Sequence, residues 1–357
     1  MRRKIVRRFE VAVGHCARCG KRLQGRHPLQ TSDALDAAQV QIGPEALAFA
    51  AHLNKRLGVS YGNTAEALRM GFGLSLSRSG VCRALARMGR KATPTYQALT
   101  VALQQELVIW IDETGWKVDA TLNWMWVAVS EHFTVYAILP GRGFEQVTQL
   151  IGPGYDGCLE HDGWSVYYHF GMALHQSCLA HLMRRCRDLI EILSPSAARF
   201  PIAVLEVFDQ ALQLQGRCQR KEISERGARS AAGRIEARMN RLLKENYRNE
   251  SNRRLAKHLA HEQPWLFTFL YCPGVEATNN RAERAIRPAV MARRLCGGNR
   301  TRNGARTQQV LTSVLRTCHQ QGKDSFRLIV NLLRNPRTQV LDIVPGRQPR
   351  SDLTASL

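Results

Sequence analysis

Three carboxylates set far apart in the chain are the residues with the most chemistry open to them. The stretch VIWIDETGWKVDATLNWMWVAVS, residues 108–130, begins with an apolar run suited to a buried strand and then meets Asp112 and Glu113. An acid at the edge of a buried sheet is costly unless something offsets its charge. A second acid, Asp162, follows the short strand pattern in GCLEHDGWSVYY (157–168). A third, Glu283, lies in ATNNRAERAIRPAVMARRL, which reads as a helix. Hard divalent ions such as Mg²⁺ (or Mn²⁺) take carboxylate oxygens as ligands and keep positions open for phosphate oxygens. Two such ions, about 3.5–4 Å apart, clamp an in-line attack on a phosphodiester. Asp112, Asp162 and Glu283 are the expected ligands, provided the fold brings them together. Strand alternation turns Glu113 to the other face. Asp119 reads as a turn residue, and Glu276 sits ahead of the helix that carries Glu283.

Softer ligands occur twice. HCARCGKRLQGRHP (15–28) holds the one C-x-x-C, Cys16 and Cys19, followed by Gly20. Such a turn points two thiolates at one Zn²⁺. Four ligands are needed; His15 and His27 are the residues that could complete the set, and His27 is the one assigned with the cysteines. The alternative is a solvated basic arm. Cys178 and His181 are three residues apart on a probable helix and share a face, with His175 nearby; core packing is the competing explanation. Trp116 and Trp164 read as core residues, the alternative being stacking on an unpaired base.

The formal net charge of +22 points to a polyanionic partner, and nucleic acid is the default. The charge is segregated. Residues 1–30 hold nine Lys/Arg against Glu10, and residues 281–306 hold eight Arg against Glu283. Residues 105–162 reverse this, with nine acids against Lys117 and Arg142. Acid concentrated inside a basic chain suits a cation site within a phosphate-binding surface. No apolar run has the length of a membrane span, and MRRKIVRRFE has no apolar stretch of a secretory signal behind its charges. A cytoplasmic, nucleoid-associated protein with its ten cysteines reduced is expected.

Several elements must position these groups. Residues 44–95 read as a helical, helix-turn-helix-like DNA-binding region: a helix from Pro44 to about Leu57, a second opened by an Asn63–Glu66 capping box, a break at GFGL (71–74), and a third capped by Ser77. Val81, Leu85 and Met88 share the apolar face of this third helix, and Arg78, Arg83 and Arg87 lie off it, toward DNA. KATPTYQAL, around Pro94, reads as a linker. From Leu107 the period becomes that of strands: 107–111, 124–130 and 134–139, then a helix over 141–151, a strand near 157–161, and a further strand or helix in 173–193, which turns into a helix. That is the chain order of an RNase H-like α/β core. In it the first strand is central and the fourth pairs beside it, with Asp112 and Asp162 at their ends and a late helix crossing the same edge. The expected organisation is a basic arm with a zinc-knuckle-like segment (1–35), the helical region (44–95), the first part of the core (105–190), a helical insertion (191–272), the second part of the core (273–335), a basic loop over 297–306 and a flexible tail (336–357).

IDETGW, HDGWSVYY, CLAHLMRRC and GVEATNNRAERAIRP together resemble the DDE transposases of bacterial insertion sequences, in the group typified by insertion sequence sixty-six, over about residues 10–335. The resemblance implies an RNase H-like catalytic core with Asp112, Asp162 and Glu283 as the metal-binding triad. It also implies zinc-like and helical DNA-binding segments ahead of the core, and a C-x-x-H signature at Cys178 and His181 in which His181 supports catalysis. The expected activity is metal-dependent cleavage and transfer of DNA strands. The expected partners are double-stranded DNA of the element's ends and target, further copies of the chain assembled on it, and accessory proteins of the same element. Arg284, Arg287, Arg300 and Arg302, flanking Glu283, would face that DNA. The family pattern has more cysteines ahead of CARCG than this chain carries, so half a zinc site is expected. Two rivals remain: a nuclease or resolvase of the same fold, and an inactive transposase serving as a DNA-binding regulator.

Overall fold

The computed structural model describes residues 5–25, 27, 42–335 and 337–346. The expected tail beyond 346 and the arm over 28–35 lie outside the described residues. A two-stranded hairpin, β1 (Val13–His15) and β2 (Arg22–Gln24), comes first. Helices α1 (Pro44–Ala51), α2 (Tyr61–Phe72) and α3 (Arg78–Leu103) follow. Then come β3 (Val108–Val118), β4 (Thr121–Val129), β5 (Thr134–Leu139), α4 (Phe144–Ile151), β6 (Cys158–His161) and β7 (Leu174–Ser177). Four helices complete the middle of the chain: α5 (Leu179–Ile192), α6 (Pro195–Gln219), α7 (Glu225–Lys244) and α8 (Glu250–Glu262). The last are α9 (Asn280–Cys296), α10 (Arg302–Gln320) and α11 (Ser325–Arg334).

The five later strands form one mixed sheet in the order β5-β4-β3-β6-β7. The β3–β4–β5 meander is antiparallel, whereas β6 runs parallel to both β3 and β7. Alternation along β3 divides the sheet between two apolar layers. Ile109 and Ile111, with Trp126, Ala128 and Leu159, face helices α1–α4, α10 and α11. Val108, Trp110 and Trp116, with Val127 and Cys158, face α5–α9. Both faces are therefore covered, which is why the strands read as near-continuous apolar runs. All ten cysteines are free.

Expectations fail at five places. Pro94 is not in a linker but inside α3, which runs on to Leu103. The buried series Ala92, Thr95, Leu99 and Leu103 keeps helical spacing beyond the proline, and its packing against the sheet layer outweighs the hydrogen bond that proline removes. The first turn of α2 is capped by Ser60, whose Oγ accepts the Asn63 N–H at 3.1 Å, while Glu66 pairs with Arg69 instead of closing a box. The first helix gives way at Ala51 to a wider turn over His52–Arg56. The basic loop is shorter than 297–306, because the Thr301 hydroxyl accepts the Gly304 N–H at 3.1 Å and starts α10 at Arg302. The segment α5–α8 shares one apolar layer with the sheet, so its helices are not cored on their own.

The β3–β4 hairpin turns on two residues, Asp119 and Ala120, both with positive φ (51° and 60°), as its right-handed strand twist requires. Its tip is held from outside: Asn299 accepts the Asp119 N–H at 3.0 Å, donates to Lys117 O at 2.9 Å and takes the Trp116 indole N–H on its side chain at 2.8 Å. Gly298, at φ +112°, allows this approach, since a Cβ there would lie 2.2 Å from Lys117 O. Gly298→Ala should therefore destabilise the chain by about 2 kcal/mol or more, read by chemical denaturation.

Candidate active site

The parallel register Val108↔Cys158, Ile109↔Leu159, Trp110↔Glu160 ends two residues short of Asp112 and Asp162. By the two-residue period both acids belong to the face that meets α5–α9. β3 itself continues past Asp112, paired with β4 as far as Val118. Asp112 thus lies where the pairing with β6 stops, and not at the end of its strand as expected. Beyond His161 the chain bends sharply: Asp162 Oδ1 accepts the Trp164 N–H at 3.1 Å, and Gly163 takes φ +88°.

The third acid arrives through Asn279. Its side-chain amide donates to Ile111 O at 2.7 Å, one residue before Asp112, and its N–H donates to Cys178 Sγ at 3.2 Å. Its carbonyl accepts the Glu283 N–H at 3.1 Å and so begins α9 against β3. The start of α5 is tied in the same way, Cys178 N–H to His161 O and Leu179 N–H to Ala277 O, each 2.9 Å.

Asp112 consequently feels the charge of Asp162 and of Glu283, although among the described residues the three carboxylates do not all come within 4.8 Å of one another. The Asp112 carboxyl is pushed up to about 7, first by burial, then by Glu113, with Asp162 and Glu283 adding to it; the Glu113 N–H, 2.8 Å from Oδ1, opposes the shift. Glu283 Oε1 is buried without a hydrogen-bond partner. His181 Nε2 stands 3.7 Å from that oxygen, beyond hydrogen-bonding range, and the Cys178, His181 and Glu283 ligand atoms lie within 4.8 Å of one another. The carboxylate oxygens are the kind of donor that a hard cation takes, whereas Cys178 and His181, the residues gathered with Glu283, are softer donors.

Neighbouring groups are already satisfied. Glu113 faces the opposite layer, where Arg142 Nε donates at 2.6 Å and the Tyr167 hydroxyl also donates to it. Glu276 pairs with Arg281 at 2.7 Å, and that guanidinium stacks over Trp110. His175 does not join Cys178 and His181. It lies 3.1 Å from His161 and donates to Phe170 O at 3.2 Å; because His161 Nδ1 accepts the Gly163 N–H at 3.1 Å, both rings are held neutral in fixed tautomers. Trp116 is a core residue as expected, but Trp164 is not: it is 37% exposed beside Asp162, with the Arg142 guanidinium 3.9 Å above its ring. The sharp turn at Gly163 carries it out of the sheet layer.

Among the expected DNA contacts, Arg78, Arg83, Arg284, Arg287, Arg300 and Arg302 are exposed, and Arg87 is half-buried. Arg293 has an internal task instead, donating to Thr114 Oγ1 at 3.0 Å and to Gly115 O across β3. In the β1–β2 hairpin, N–H groups of Arg18 and Cys19 hold the Cys16 thiol below its ordinary range. Among the described residues no third ligand gathers with Cys16 and Cys19, and the His27 ring packs against Phe9 at 4.8 Å.

Sequence reasoning missed Asn279, Glu160 and Glu262. Asn279 was within the quoted TNN but read only as a helix start. Glu160 and Glu262, wholly buried polar residues, left no signal in periodicity.

The family model described as Transposase IS66 family matches residues 39–307, and the chain belongs to that family. It is also 24% identical over 288 residues to an uncharacterized protein, y4qI, of Sinorhizobium fredii (strain NBRC 101917 / NGR234), an alignment covering 72% of this chain and 53% of that protein. The chain thus spans about half the length of this curated relative. Among the described residues no helix is long and apolar enough to cross a membrane.

The raised Asp112 value gives a stability test without any substrate. An aspartate's ordinary value is about 3.9, so with cations removed the ionisation of Asp112 opposes folding. The contribution is intact below the unfolded value and is lost as pH rises through about 7. In EDTA, Asp112→Asn should raise the melting temperature, with a larger gain at pH 8 than at pH 5.

Proposed function

We propose that the chain is a DDE transposase with an RNase H-like core, cutting and joining DNA strands at the ends of an insertion sequence. The observation that carries this is that Asp112, where the pairing of β3 with β6 stops, feels the charge of Asp162 just beyond β6 and of Glu283 near the start of α9, while Glu283 Oε1 is buried without a hydrogen-bond partner. Family membership supports the transposase reading over other users of such acids. The order β5-β4-β3-β6-β7, three antiparallel strands followed by two parallel ones, supports the fold assignment.

The three carboxylates would hold Mg²⁺ or Mn²⁺, as two ions, which when bound activate the attacking oxygen and stabilise the leaving one. The chain's own residues then orient the DNA. Arg284 and Arg287, exposed on the same helix as Glu283, and Arg300 and Arg302 beyond its end are placed to grip backbone phosphates. His181, whose Nε2 is 3.7 Å from Glu283 Oε1, would donate a hydrogen bond to a phosphate oxygen. Arg78, Arg83 and Arg87, on the helix-turn-helix-like pair α2–α3, would hold or read the end sequence. Cys16 and Cys19 offer half a Zn²⁺ site; His27 is not gathered with them, and no step is assigned to zinc. Assembly of several copies on DNA, accessory proteins and a nucleoid location follow from this reading.

Asp112→Asn, Asp162→Asn and Glu283→Gln should each abolish Mg²⁺-dependent cleavage of end-sequence DNA while the protein still folds and binds it. Near wild-type cleavage by any one of them removes that residue from the site. Cleavage without joining to a target duplex would favour a nuclease, and no cleavage by the wild type a DNA-binding regulator.

Binding has its own test. Each phosphate neutralised contributes about 0.9 log unit of affinity per log unit of salt. With Ca²⁺ replacing the catalytic ion, changing Arg78, Arg83 and Arg87 together to Ala should flatten the salt dependence of end binding, whereas Asp112→Asn should leave it nearly unchanged. An unaltered slope and affinity in the triple variant would show that α2–α3 does not touch the DNA.

A further inference from the structure

Glu262, the last residue of α8, is 1% exposed and has no Lys or Arg ion-pair partner among the described residues. Its Oε2 accepts two hydrogen bonds at 2.6 Å, from the Tyr168 and Ser177 hydroxyls. Its Oε1 is buried and bonds to nothing. Two donors on one oxygen suit an ionised carboxylate, and a protonated Oε1 would need an acceptor that is not there.

The unused oxygen is aimed at the bend after β6. A Cβ built on Gly163 would lie 3.5 Å from Oε1 and 3.7 Å from the carboxylate carbon. The carboxylate therefore sits directly under the residue that follows Asp162. Tyr168, which donates to Glu262, also feels the charge of Asp162. The nearby imidazole of His175 is held neutral by its hydrogen bonds, so it does not offset the charge. A wholly buried anion without a Lys or Arg partner is expensive.

We infer that Glu262 is a positioning residue for the cation site: its charge, held rigidly beneath the Asp162–Gly163–Trp164 bend, strengthens the attraction of that site for a divalent cation without itself touching the DNA. This rests on the reading of Asp112, Asp162 and Glu283 as cation ligands. It also gives the helical segment α5–α8 a task at the site, since that segment delivers Glu262.

The test is Mn²⁺ binding to the DNA-free, full-length protein, followed by the electron paramagnetic resonance of free Mn²⁺, with thermal melts alongside. Glu262→Gln keeps the shape and a carbonyl oxygen for the two hydroxyls but removes the charge. It should weaken Mn²⁺ binding about five- to tenfold, the order expected of a unit charge just beyond an ion's ligands in a half-buried site, with little change in melting temperature. Tyr168→Phe removes a hydrogen bond but no charge, and should bind Mn²⁺ as the wild type does. A folded Glu262→Gln protein with wild-type affinity overturns the inference. So does a Tyr168→Phe protein with weakened binding, which would make the network a mere brace; this arm stands even if Glu262→Gln does not fold. Asp112→Asn separates the two levels. If it abolishes binding while Glu262→Gln does not alter it, only the role of Glu262 fails. If the wild type has no site that Asp112→Asn removes, the cation reading falls, and the role of Glu262 with it.

Discussion

Negative charge that the protein does not neutralise governs the middle of this molecule. Asp112 is driven toward its neutral form by burial and by three neighbouring acids, one of which, Glu113, has its own Arg142. Among the described residues neither Asp162 nor Glu283 has a Lys or Arg ion pair, although exposed arginines are abundant a short way along α9. A fold seeking stability alone would have turned one of those arginines inward. Instead Arg281 and Arg293 are drawn off to Glu276 and to the backbone of β3. On the proposed reading the acids are left for a cation from outside, and the surrounding bonds of Asn279, Cys178 and His161 tie together the elements that carry them.

The two sides of β3 divide the work. On one side Glu113, Arg142 and Tyr167 make a closed, satisfied pair within the layer of α1–α4, α10 and α11. On the other, one residue away, Asp112 is open. Adjacent acids of the same type thus have opposite fates, set only by the pleat. The two faces also separate the proposed DNA-holding helices from the proposed chemistry without separate domains, since α1–α3 share their apolar layer with the sheet.

Much of this was legible in the sequence, for reasons that can be named. The meander, the central place of β3 and the pairing of β6 beside it follow from apolar runs broken by turn residues, and the wholly helical character of α5–α8 from its lack of strand patterning. Asp112 and Asp162 stood out because each follows an apolar strand pattern, whereas Glu283 lies in an Arg-rich helix and was marked by the motif NNRAERAIRP. What could not be read depended on contacts across the chain. Pro94 signals a break, yet its helix continues because Leu99 and Leu103 find the sheet layer. Trp164 looks like core until the turn at Gly163 carries it outward. Glu262 lies in an ordinary charged helix, and only the tertiary fold shows that its last turn is buried against Tyr168 and Ser177.

The chain leaves the sheet at Leu179 and returns at Ala277, and those two residues are hydrogen-bonded to each other. Everything between them is a loop closed at its base, whatever its length. Such a base lets the intervening helices lengthen, shorten or be exchanged over evolutionary time without altering the distance between Asp162 and Glu283, provided the stretch from Glu262 onward keeps its seat. Variation among relatives in this part of the chain would then alter what surrounds the proposed DNA path and leave the proposed reacting centre as it is.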